Sequence, residues 1–453
     1  MIKLKDIQNI YFIGIGGIGM SALARYFESR NVTVSGYDRS QSDLSRELEN
    51  EGIKIHYEEN VSLIPKNVDA VVYTPAVPSS HAELVYYRDN NYEVMKRSDI
   101  LQIITQDSFN ICVAGTHGKT TITTMIAHIL RDSGFGCNAF LGGIAANYHT
   151  NFWSSEKNIC VVEADEYDRS FLKLSPDVAV ITAMDPDHLD IYGTGEEVEN
   201  AFIQFSKKIK DHGCLVSKYG LKRDDALKAK IKFTYSFDNE GADVFAKNIS
   251  VENGSYVFEI ESKSWNLKNV HLHMGGLHNI ENAVAAITVA KYVKIEDAQI
   301  KKAVASFKGV KRRFEYILKN KDHILIDDYA HHPEELRALI TGVRSLFGDK
   351  KCTVVFQPHL FSRTNDLAKE FAQSLDLADE VILLPIYPAR ELPMEGVSSE
   401  LVLNNMQLPQ KQILSKDAMI EWVKVYQPEL LVMCGAGDID VLIEPVKNIL
   451  MNQ

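Results

Sequence analysis

The chain has 453 residues, of which 45% are hydrophobic and 24% charged, and its formal net charge is −12. This length predicts two to four globular domains, and the acidic balance argues against a nucleic-acid partner, because phosphate backbones are bound through an excess of Lys and Arg. No apolar run reaches the roughly 18 residues that a membrane span requires, and the N-terminal stretch lacks a long apolar signal region. We therefore expect a cytoplasmic protein with no membrane partner.

Six cysteines are scattered along the chain without any C-x-x-C pair, at positions 112, 137, 160, 214, 352 and 434. Most of them stand inside apolar runs, which is typical of buried, reduced thiols rather than of a disulfide framework or a zinc site. This cysteine usage also favours the cytoplasm.

The first region contains a glycine-rich turn between a predicted strand and a predicted helix. The turn reads G-x-G-x-x-G, and Asp38 follows about 20 residues later, after a second predicted strand. The pattern alone suggests NAD, but physically it describes a diphosphate on a helix N-terminus, which any nucleotide diphosphate satisfies. Asp38 is then either a partner of a ribose hydroxyl or a solvated residue. The residues predicted to hold the ligand here are Gly14, Gly16, Gly17, Gly19 and Met20.

A second glycine-rich turn, in the segment ICVAGTHGKTT at residues 111–121, organises the rest of the chain. An apolar predicted strand precedes it and a predicted helix follows, so backbone N–H groups are placed to bind the phosphates of a nucleoside triphosphate. The Lys would neutralise terminal phosphates and a Thr would ligate Mg²⁺. The turn is shorter than the full G-x-x-x-x-G-K-[ST] motif, because Val113 stands where Gly is required. The predicted ATP contacts are Gly115, Thr116, His117, Gly118, Lys119, Thr120 and Thr121.

Acidic residues gather after two later predicted strands. The segment EADEYD at residues 163–168 has four acids, and DPDHLD at residues 185–190 places His188 among aspartates. Such clusters are costly unless cations neutralise them, and Mg²⁺ is the natural cation beside a triphosphate. A solvated acidic loop is the alternative for the first segment, and a charge relay for the second. The sequence also predicts a tight turn at residues 141–143. For Arg97 it favours a solvated side chain over a phosphate ligand.

Beyond these segments, predicted strands and helices alternate up to the C-terminus, which indicates a second doubly wound α/β sheet. Polar side chains follow its strands, as in DDYAHHP at residues 327–333 and QPH at residues 357–359. The segment GLHN at residues 276–279 suits an adenine or ribose at a helix start, and helix capping by Asn279 is the alternative. Arg313, in a basic run, is either a phosphate ligand or part of a solvated linker.

Eight motifs in this order make the chain resemble the Mur ligase family. They are GIGGIGM (14–20), AGTHGKTT (114–121), EADEYD (163–168), DPDHLDIYG (185–193), GLHNIENA (276–283), FKGVKRRFE (307–315), DDYAHHP (327–333) and FQPHLFSRT (356–364). The resemblance covers essentially the whole chain and implies an α/β fold of three domains. These would be a Rossmann-like domain for a UDP-sugar at 1–107, a central P-loop ATPase-type domain at 108–312, and a Rossmann-like domain for an amino acid at 313–453.

The resemblance also implies roles for single residues. Metal ligands would be Thr120, Glu163 and His188, and the catalytic group would consist of Lys119, Glu163, His188, Arg313 and His331. Nucleotide contacts beyond the phosphate loop would be His278, Asn279, Asn282, Arg313 and Asp327. The amino acid would meet Tyr329, His359 and Arg363.

The motifs match most closely the branch of this family that works in peptidoglycan synthesis on UDP-N-acetylmuramate. That branch uses ATP and Mg²⁺ to join L-alanine to the sugar's carboxylate through an acyl phosphate. Like that branch, the chain has no Lys at residues 201–204, where other members carry a carbamylated Lys. It departs from that branch at Leu360, where Arg is usual, so Arg363 is the remaining cation for the amino-acid carboxylate.

Three alternatives remain at this point. A recycling ligase of the same family would join a whole tripeptide to the same sugar. An NAD-dependent oxidoreductase would explain residues 14–19 alone, and a P-loop switch protein would hydrolyse ATP without ligation. For the ligase we expect a monomer or a weak homodimer, and we expect Lys119 to serve its ligand with little part in folding.

Overall fold

The computed structural model describes residues 2–389 and 391–451. They form two compact units: the first comprises Met1–Lys247, Glu259–Lys268 and Glu281–Val304, and the second comprises Asn248–Phe258, Asn269–Ile280 and Ala305–Gln453. Three sheets with mostly parallel strands confirm the predicted α/β class. The domain boundaries at 107/108 and 312/313 remain predictions.

The N-terminal sheet has five parallel strands in the order β3-β2-β1-β4-β5. Its central strand is apolar and almost fully buried, as expected for a parallel strand covered on both faces. The strand order reverses beside β1, and ligands of α/β sheets bind at such switch points. The elements are β1 Asn9–Ile13, α1 Ile18–Glu28, β2 Thr33–Tyr37, α2 Asp43–Asn50, β3 Lys54–His56, β4 Ala70–Tyr73, α3 Ala82–Asp89, β5 Val94–Lys96 and α4 Arg97–Thr105.

The central sheet has ten strands in the order β15-β14-β13-β12-β11-β10-β6-β9-β7-β8. Its middle strands are parallel, and only the β7–β8 pair at this end is antiparallel. The strands are β6 Phe109–Ala114, β7 Asn138–Ala145, β8 Thr150–Trp153, β9 Ile159–Glu163, β10 Val178–Ile181, β11 Cys214–Lys218, β12 Ile231–Ser236, β13 Val244–Glu252, β14 Ser255–Ser262 and β15 Asn266–Leu272. The helices are α5 Lys119–Asp132, α6 Leu189–Tyr192, α7 Gly195–Ser206, α8 Leu277–Tyr292 and α9 Asp297–Ser306.

The C-terminal sheet has the order β16-β17-β21-β18-β19-β20, in which only β16 runs antiparallel. The predicted doubly wound sheet is therefore present, with one antiparallel edge strand. Its strands are β16 Glu315–Lys319, β17 Ile324–Asp328, β18 Cys352–Phe356, β19 Glu380–Leu383, β20 Lys411–Ile413 and β21 Leu430–Cys434. Its helices are α10 Pro333–Leu346, α11 Phe361–Asp366, α12 Ala368–Leu375, α13 Ser399–Asn405, α14 Lys416–Tyr426 and α15 Ile443–Met451.

Two whole-chain expectations bear on the protein's surroundings. All six cysteines are buried and unpaired, as their positions in apolar runs predicted. Among the described residues, no helix combines the length and the hydropathy that crossing a membrane would take.

Candidate active site

The turn between β6 and α5 has the geometry of a phosphate-binding loop. Gly115 and Gly118 have φ angles of 138° and 79°, and Gly118 directly precedes α5. A Cβ at Gly115 would lie 2.8 Å from the backbone nitrogen of Ala183, so only glycine fits. The Thr116 N–H donates to the Ala183 carbonyl at 3.3 Å, which ties the turn to the end of β10. The turn thus leaves the free N–H groups of the α5 N-terminus next to the lysine that begins the helix.

Lys119 is held by two acceptors. Its Nζ donates to the Gly115 carbonyl at 2.7 Å and to Glu166 Oε1 at 2.8 Å. An ammonium has three donors, so the third is left for a ligand. Burial raises the pKa of the Glu166 carboxyl, and the charge of Lys119 opposes that rise. The expectation that Lys119 has little part in folding stays a prediction, and its ion pair with Glu166, which is only 1% exposed, is an observation against it.

Glu163, the last residue of β9, links the phosphate loop to β7. Thr120 Oγ1 donates to its Oε1 at 3.0 Å, and the Gly142 N–H donates to its Oε2 at 3.1 Å. Burial raises the pKa of the Glu163 carboxyl, and Lys119 again opposes the shift. The tight turn predicted at residues 141–143 is wrong, since these residues lie inside β7. A Cβ at Gly142 would lie 2.1 Å from Glu163 Oε2, so this glycine makes room for the carboxylate.

The second acidic segment brings His188 together with Asp187 and Glu166. One ligand atom from each of the three lies within 4.8 Å of the others. His188 immediately precedes α6, and the Tyr167 ring lies edge-on to its imidazole with centroids 5.0 Å apart. Sequence reasoning selected His188 and Glu163 as metal ligands but did not select Glu166 or Asp187. The only signal for these two was their place in the acidic segments.

The first glycine-rich turn lines a cavity of about 630 Å³ together with residues that follow β9. Gly17 and Met20 line the cavity from the turn, and Glu163 and Asp165 line it from the central sheet. The cavity therefore connects the first glycine-rich turn to Glu163, the carboxylate that Thr120 of the second turn contacts.

The structure gives Asp38 and Arg97, two side chains near the first turn, contacts that the sequence did not predict. The Gly16 N–H donates to Asp38 Oδ2 at 2.7 Å, so Asp38 holds the turn itself, and its contact with a ribose stays a prediction. Arg97 was expected to be solvated, but it lines the cavity, and a Cβ at Gly19 would lie 2.6 Å from its Nη1. Arg97 also pairs with Asp165 at 3.6 Å. Sequence reasoning underrated Arg97 because the contact depends on folding rather than on a local pattern.

The other residues that were predicted to contact the nucleotide lie partly in the first unit and partly in the second. In the first unit, Asn282 Oδ1 lies 3.0 Å from the position of a Cβ on Gly118, so Asn282 does reach the phosphate loop. His117 is exposed and lies 3.8 Å from Asp185, whereas the side chain of Thr121 is buried in α5. In the second unit, Asn279 lies inside α8 and its Nδ2 donates to the Gly275 carbonyl at 2.6 Å. His278, beside it, is exposed.

An aromatic cluster in the second unit contains His359, the ring whose electrostatic environment includes Arg363. The ring of His331 lies 6.3 Å from that of His359, which stacks on Tyr387 at 5.7 Å. The ring of Tyr329 lies edge-on to His331 at 5.2 Å. Among the described residues, the buried atoms Arg363 Nη1 and His359 Nδ1 have no hydrogen-bond partner. Burial, then the charges of Arg363 and His331, lowers the pKa of His359, so its ring is neutral near pH 7.

Asp327 lies at the end of β17, where it is buried next to a linker arginine. Burial raises the pKa of Asp327 to about 7, and the opposing charge is that of Arg312, whose Nε lies 3.8 Å from the carboxylate. Arg312 Nη2 also donates to the Gly435 carbonyl at 2.5 Å. Arg313, the predicted phosphate ligand, is exposed. The structure therefore separates two neighbouring arginines into one that is packed and one that faces solvent.

Three family models match the chain in order: "Mur ligase family, catalytic domain" at residues 9–108, "Mur ligase middle domain" at 113–290, and "Mur ligase, glutamate ligase domain" at 312–437. The chain therefore belongs to the Mur ligase family, as the eight ordered motifs indicated.

Within this family, the chain is similar over its full length to ligases that carry the name UDP-N-acetylmuramate–L-alanine ligase. The chain is 47% identical to a UDP-N-acetylmuramate–L-alanine ligase of Parabacteroides distasonis, over 100% of this chain and 99% of the relative. It is 46% identical to the enzyme of that name from Flavobacterium johnsoniae, over 99% of both chains. A solved UDP-N-acetylmuramate–alanine ligase from Thermotoga maritima matches with a TM-score of 0.82 and 27% identity over 98% of both chains. A murein peptide ligase from Psychrobacter arcticus shares the fold, with a TM-score of 0.66 and 23% identity over 98% of this chain and 99% of that one.

Replacing Gly142 tests whether Glu163 must keep its place against Thr120. In Gly142→Ala the new methyl group displaces only the end of a side chain, so we expect near-normal folding but a loss of at least about tenfold in ATP-dependent activity. Circular dichroism melts and phosphate-release rates measure the two effects. An alanine variant with normal activity would show that the Glu163 contact is dispensable.

Removing Lys119 makes the stability of the protein depend on pH. In Lys119→Ala the buried Glu166 loses its cation, so its pKa rises further above its unfolded value and the native state holds the proton more tightly. Stability is then retained at low pH and falls as pH rises above the unfolded pKa, by about 1–3 kcal/mol in total. Melting temperatures at pH 5 and 7.5 measure this, and Lys119→Ala with Glu166→Gln should remove the pH dependence. Equal pH profiles for wild type and Lys119→Ala would contradict the pairing.

Proposed function

We propose that this chain is an ATP-dependent ligase that joins L-alanine to the carboxylate of UDP-N-acetylmuramate and releases ADP and phosphate. The observation that carries the proposal is the shared cavity: the first glycine-rich turn and the acid beside the phosphate loop line the same space. A nucleotide sugar on that turn would extend its acyl end toward the phosphate loop. The names of the full-length relatives support the same substrates. The activity would serve peptidoglycan synthesis in the cytoplasm.

The first turn is proposed to hold the UDP diphosphate through Gly14, Gly16, Gly17, Gly19 and Met20. The hydrogen bond from Gly16 to Asp38 fixes the turn, and the guanidinium of Arg97 adds a positive charge to the wall of the cavity. A UDP diphosphate on this turn would explain why the chain has a dinucleotide-binding motif although the proposed reaction uses no NAD. An oxidoreductase would leave the phosphate loop and its carboxylates without a role.

ATP is proposed to bind at the α5 N-terminus of the first unit, with its phosphates on Gly115 to Thr121 and with Asn282 beside them. In the second unit His278, Asn279, Arg313 and Asp327 stay sequence-based predictions of nucleotide contacts. The fit rests on the free third donor of Lys119 and on the glycine cradle at 115 and 118. Mg²⁺ would be bound by oxygen atoms of Thr120 and Glu163 and by the imidazole of His188. When bound, Mg²⁺ neutralises the charge of the phosphates.

The reaction we propose has two steps at the sugar's carboxylate. A carboxylate oxygen attacks the terminal phosphorus, the bond to the ADP oxygen breaks, and an acyl phosphate forms. The amine of alanine then attacks the acyl carbon, and the C–O bond to phosphate breaks. Lys119 stabilises charge in the first step, and His331 is the group we propose to accept the amine's proton in the second. Exclusion of water protects the acyl phosphate between the steps.

The amino acid is proposed to bind in the cluster of Tyr329, His359 and Arg363. Arg363 Nη1 and His359 Nδ1 are buried polar atoms without a partner in the described chain, which suits a carboxylate ligand. Leu360, in place of the branch's usual arginine, leaves Arg363 as the cation for this group. Tyr329 is proposed to limit the size of the side chain.

Phosphate release with UDP-N-acetylmuramate, ATP and each amino acid in turn tests the proposal. L-Alanine should be the best substrate, and glycine and L-serine should be poorer by about 1–3 kcal/mol in kcat/KM, because one small group discriminates weakly. Larger amino acids should fail. A requirement for a tripeptide, or reduction of NAD with no phosphate release, would overturn the proposal.

Arg363→Ala separates the amino-acid site from the nucleotide site. Loss of an ionic hydrogen bond to the carboxylate should raise the KM for alanine about 10- to 100-fold. The KM values for ATP and the UDP-sugar should stay within about twofold. Arg337→Ala, at an arginine on α10 that pairs with Glu334, is the matched control and should change none of them. A loss of ATP affinity with unchanged alanine KM would place the nucleotide, not the amino acid, at Arg363.

A further inference from the structure

The backbone at Leu360, which lies between His359 and the start of α11, is strained. Leu360 has a φ of 71° and a ψ of 136°. A leucine rarely adopts a positive φ, because its Cβ then crowds the backbone. Such a conformation persists only where the surrounding structure holds it, and it is most common at functional sites. The turn at Leu360 therefore depends on contacts from outside α11.

The segment that follows β19 supplies the first of these contacts. The Leu360 N–H donates to the Tyr387 carbonyl at 3.0 Å, and the Tyr387 N–H donates to the Pro358 carbonyl at 2.9 Å. The two backbones thus pair beside His359, whose ring also stacks on that of Tyr387. These bonds fix the chain as far as Leu360, and the first turn of α11 is held by a different residue.

Glu391, four residues after Tyr387, holds the first turn of α11. Its Oε2 accepts the Ser362 N–H at 3.0 Å, and its Oε1 accepts the Ser362 hydroxyl. The first N–H groups of a helix have no acceptor within the helix, and Leu360, just before α11, has no side-chain acceptor to offer. The two hydrogen bonds from Ser362 lower the pKa of the Glu391 carboxyl, so it is ionised near pH 7 and forms charge-assisted bonds.

We propose that Glu391 is a positioning residue of the amino-acid site, which holds the strained turn so that His359 and Arg363 face the same carboxylate. The two hydrogen bonds between Ser362 and Glu391, called the clamp below, lie in sequence between these two proposed ligands. The buried atoms His359 Nδ1 and Arg363 Nη1, without partners in the described chain, can share one ligand only while the turn keeps its shape. The identity of that ligand rests on the proposed function, whereas the clamp itself does not.

Glu391→Ala tests the clamp through steady-state kinetics. Without the clamp the turn relaxes and Arg363 moves out of place, so the KM for L-alanine should rise about tenfold. The KM values for ATP and the UDP-sugar should stay within about twofold, because none of their proposed contacts lies on this turn. Glu391→Gln keeps an oxygen for the Ser362 N–H and should stay within about threefold of the wild type. Glu395→Ala, at an exposed glutamate of the same segment, is the matched control and should change no KM.

Leu360→Gly separates the release of strain from a general loss of structure. Glycine adopts a positive φ without crowding, so the turn no longer needs to be held. The effect of Glu391→Ala on the alanine KM should therefore fall from about tenfold to about threefold or less when Leu360→Gly is already present. An undiminished effect in that background, or a wild-type alanine KM in folded Glu391→Ala, would overturn the proposal.

Hydrogen–deuterium exchange at the start of α11, measured by mass spectrometry without substrates, checks the clamp apart from the reaction. Exchange at Ser362 should be at least about tenfold faster in Glu391→Ala and unchanged in Glu395→Ala. Unchanged exchange in Glu391→Ala would overturn the proposal. Faster exchange in a chain that forms no amide with any amino acid would support the clamp and contradict only the ligase assignment.

Discussion

Two carboxylates beside the phosphate loop, Glu166 buried and Glu163 half-buried, set the main constraint on this protein. Glu163 is the last residue of β9 and Glu166 follows that strand, and burial raises the pKa of each carboxyl. Lys119 opposes both shifts and bonds Glu166 directly at 2.8 Å. Such a group is stable only while its cation stays in place, because an uncompensated buried charge is far more costly than an exposed one. The stability of the first unit and the charge of its proposed nucleotide site therefore depend on one lysine.

Local pattern was enough to predict the sheets and the loops. Apolar runs that end in glycine-rich or polar segments are the signature of parallel strands, and all three sheets follow it. Eight motifs in a fixed order then indicated the family, which the family models confirm. The phosphate loop was predictable because its function depends on backbone N–H groups and on residues adjacent in sequence.

Contacts between distant segments were not predictable in the same way. Two adjacent glycines at 142 and 143 look like a turn, yet Gly142 is a strand residue whose missing side chain admits Glu163. Arg97 has no local sign of function, and only the fold places it on the cavity wall. Likewise, four acids in residues 163–168 indicated a cation, but only the structure distinguishes Glu163, bonded to Thr120, from Glu166, bonded to Lys119.

The central claim is that a carboxylate and an amine are joined after transfer of a phosphoryl group to the carboxylate. Labelling both carboxylate oxygens of UDP-N-acetylmuramate with ¹⁸O and analysing the released phosphate by mass spectrometry tests this directly. Transfer through an acyl phosphate predicts that each phosphate formed in the presence of ATP and L-alanine carries one ¹⁸O atom from the sugar. Phosphate without label, released at the same rate as amide forms, would contradict the account.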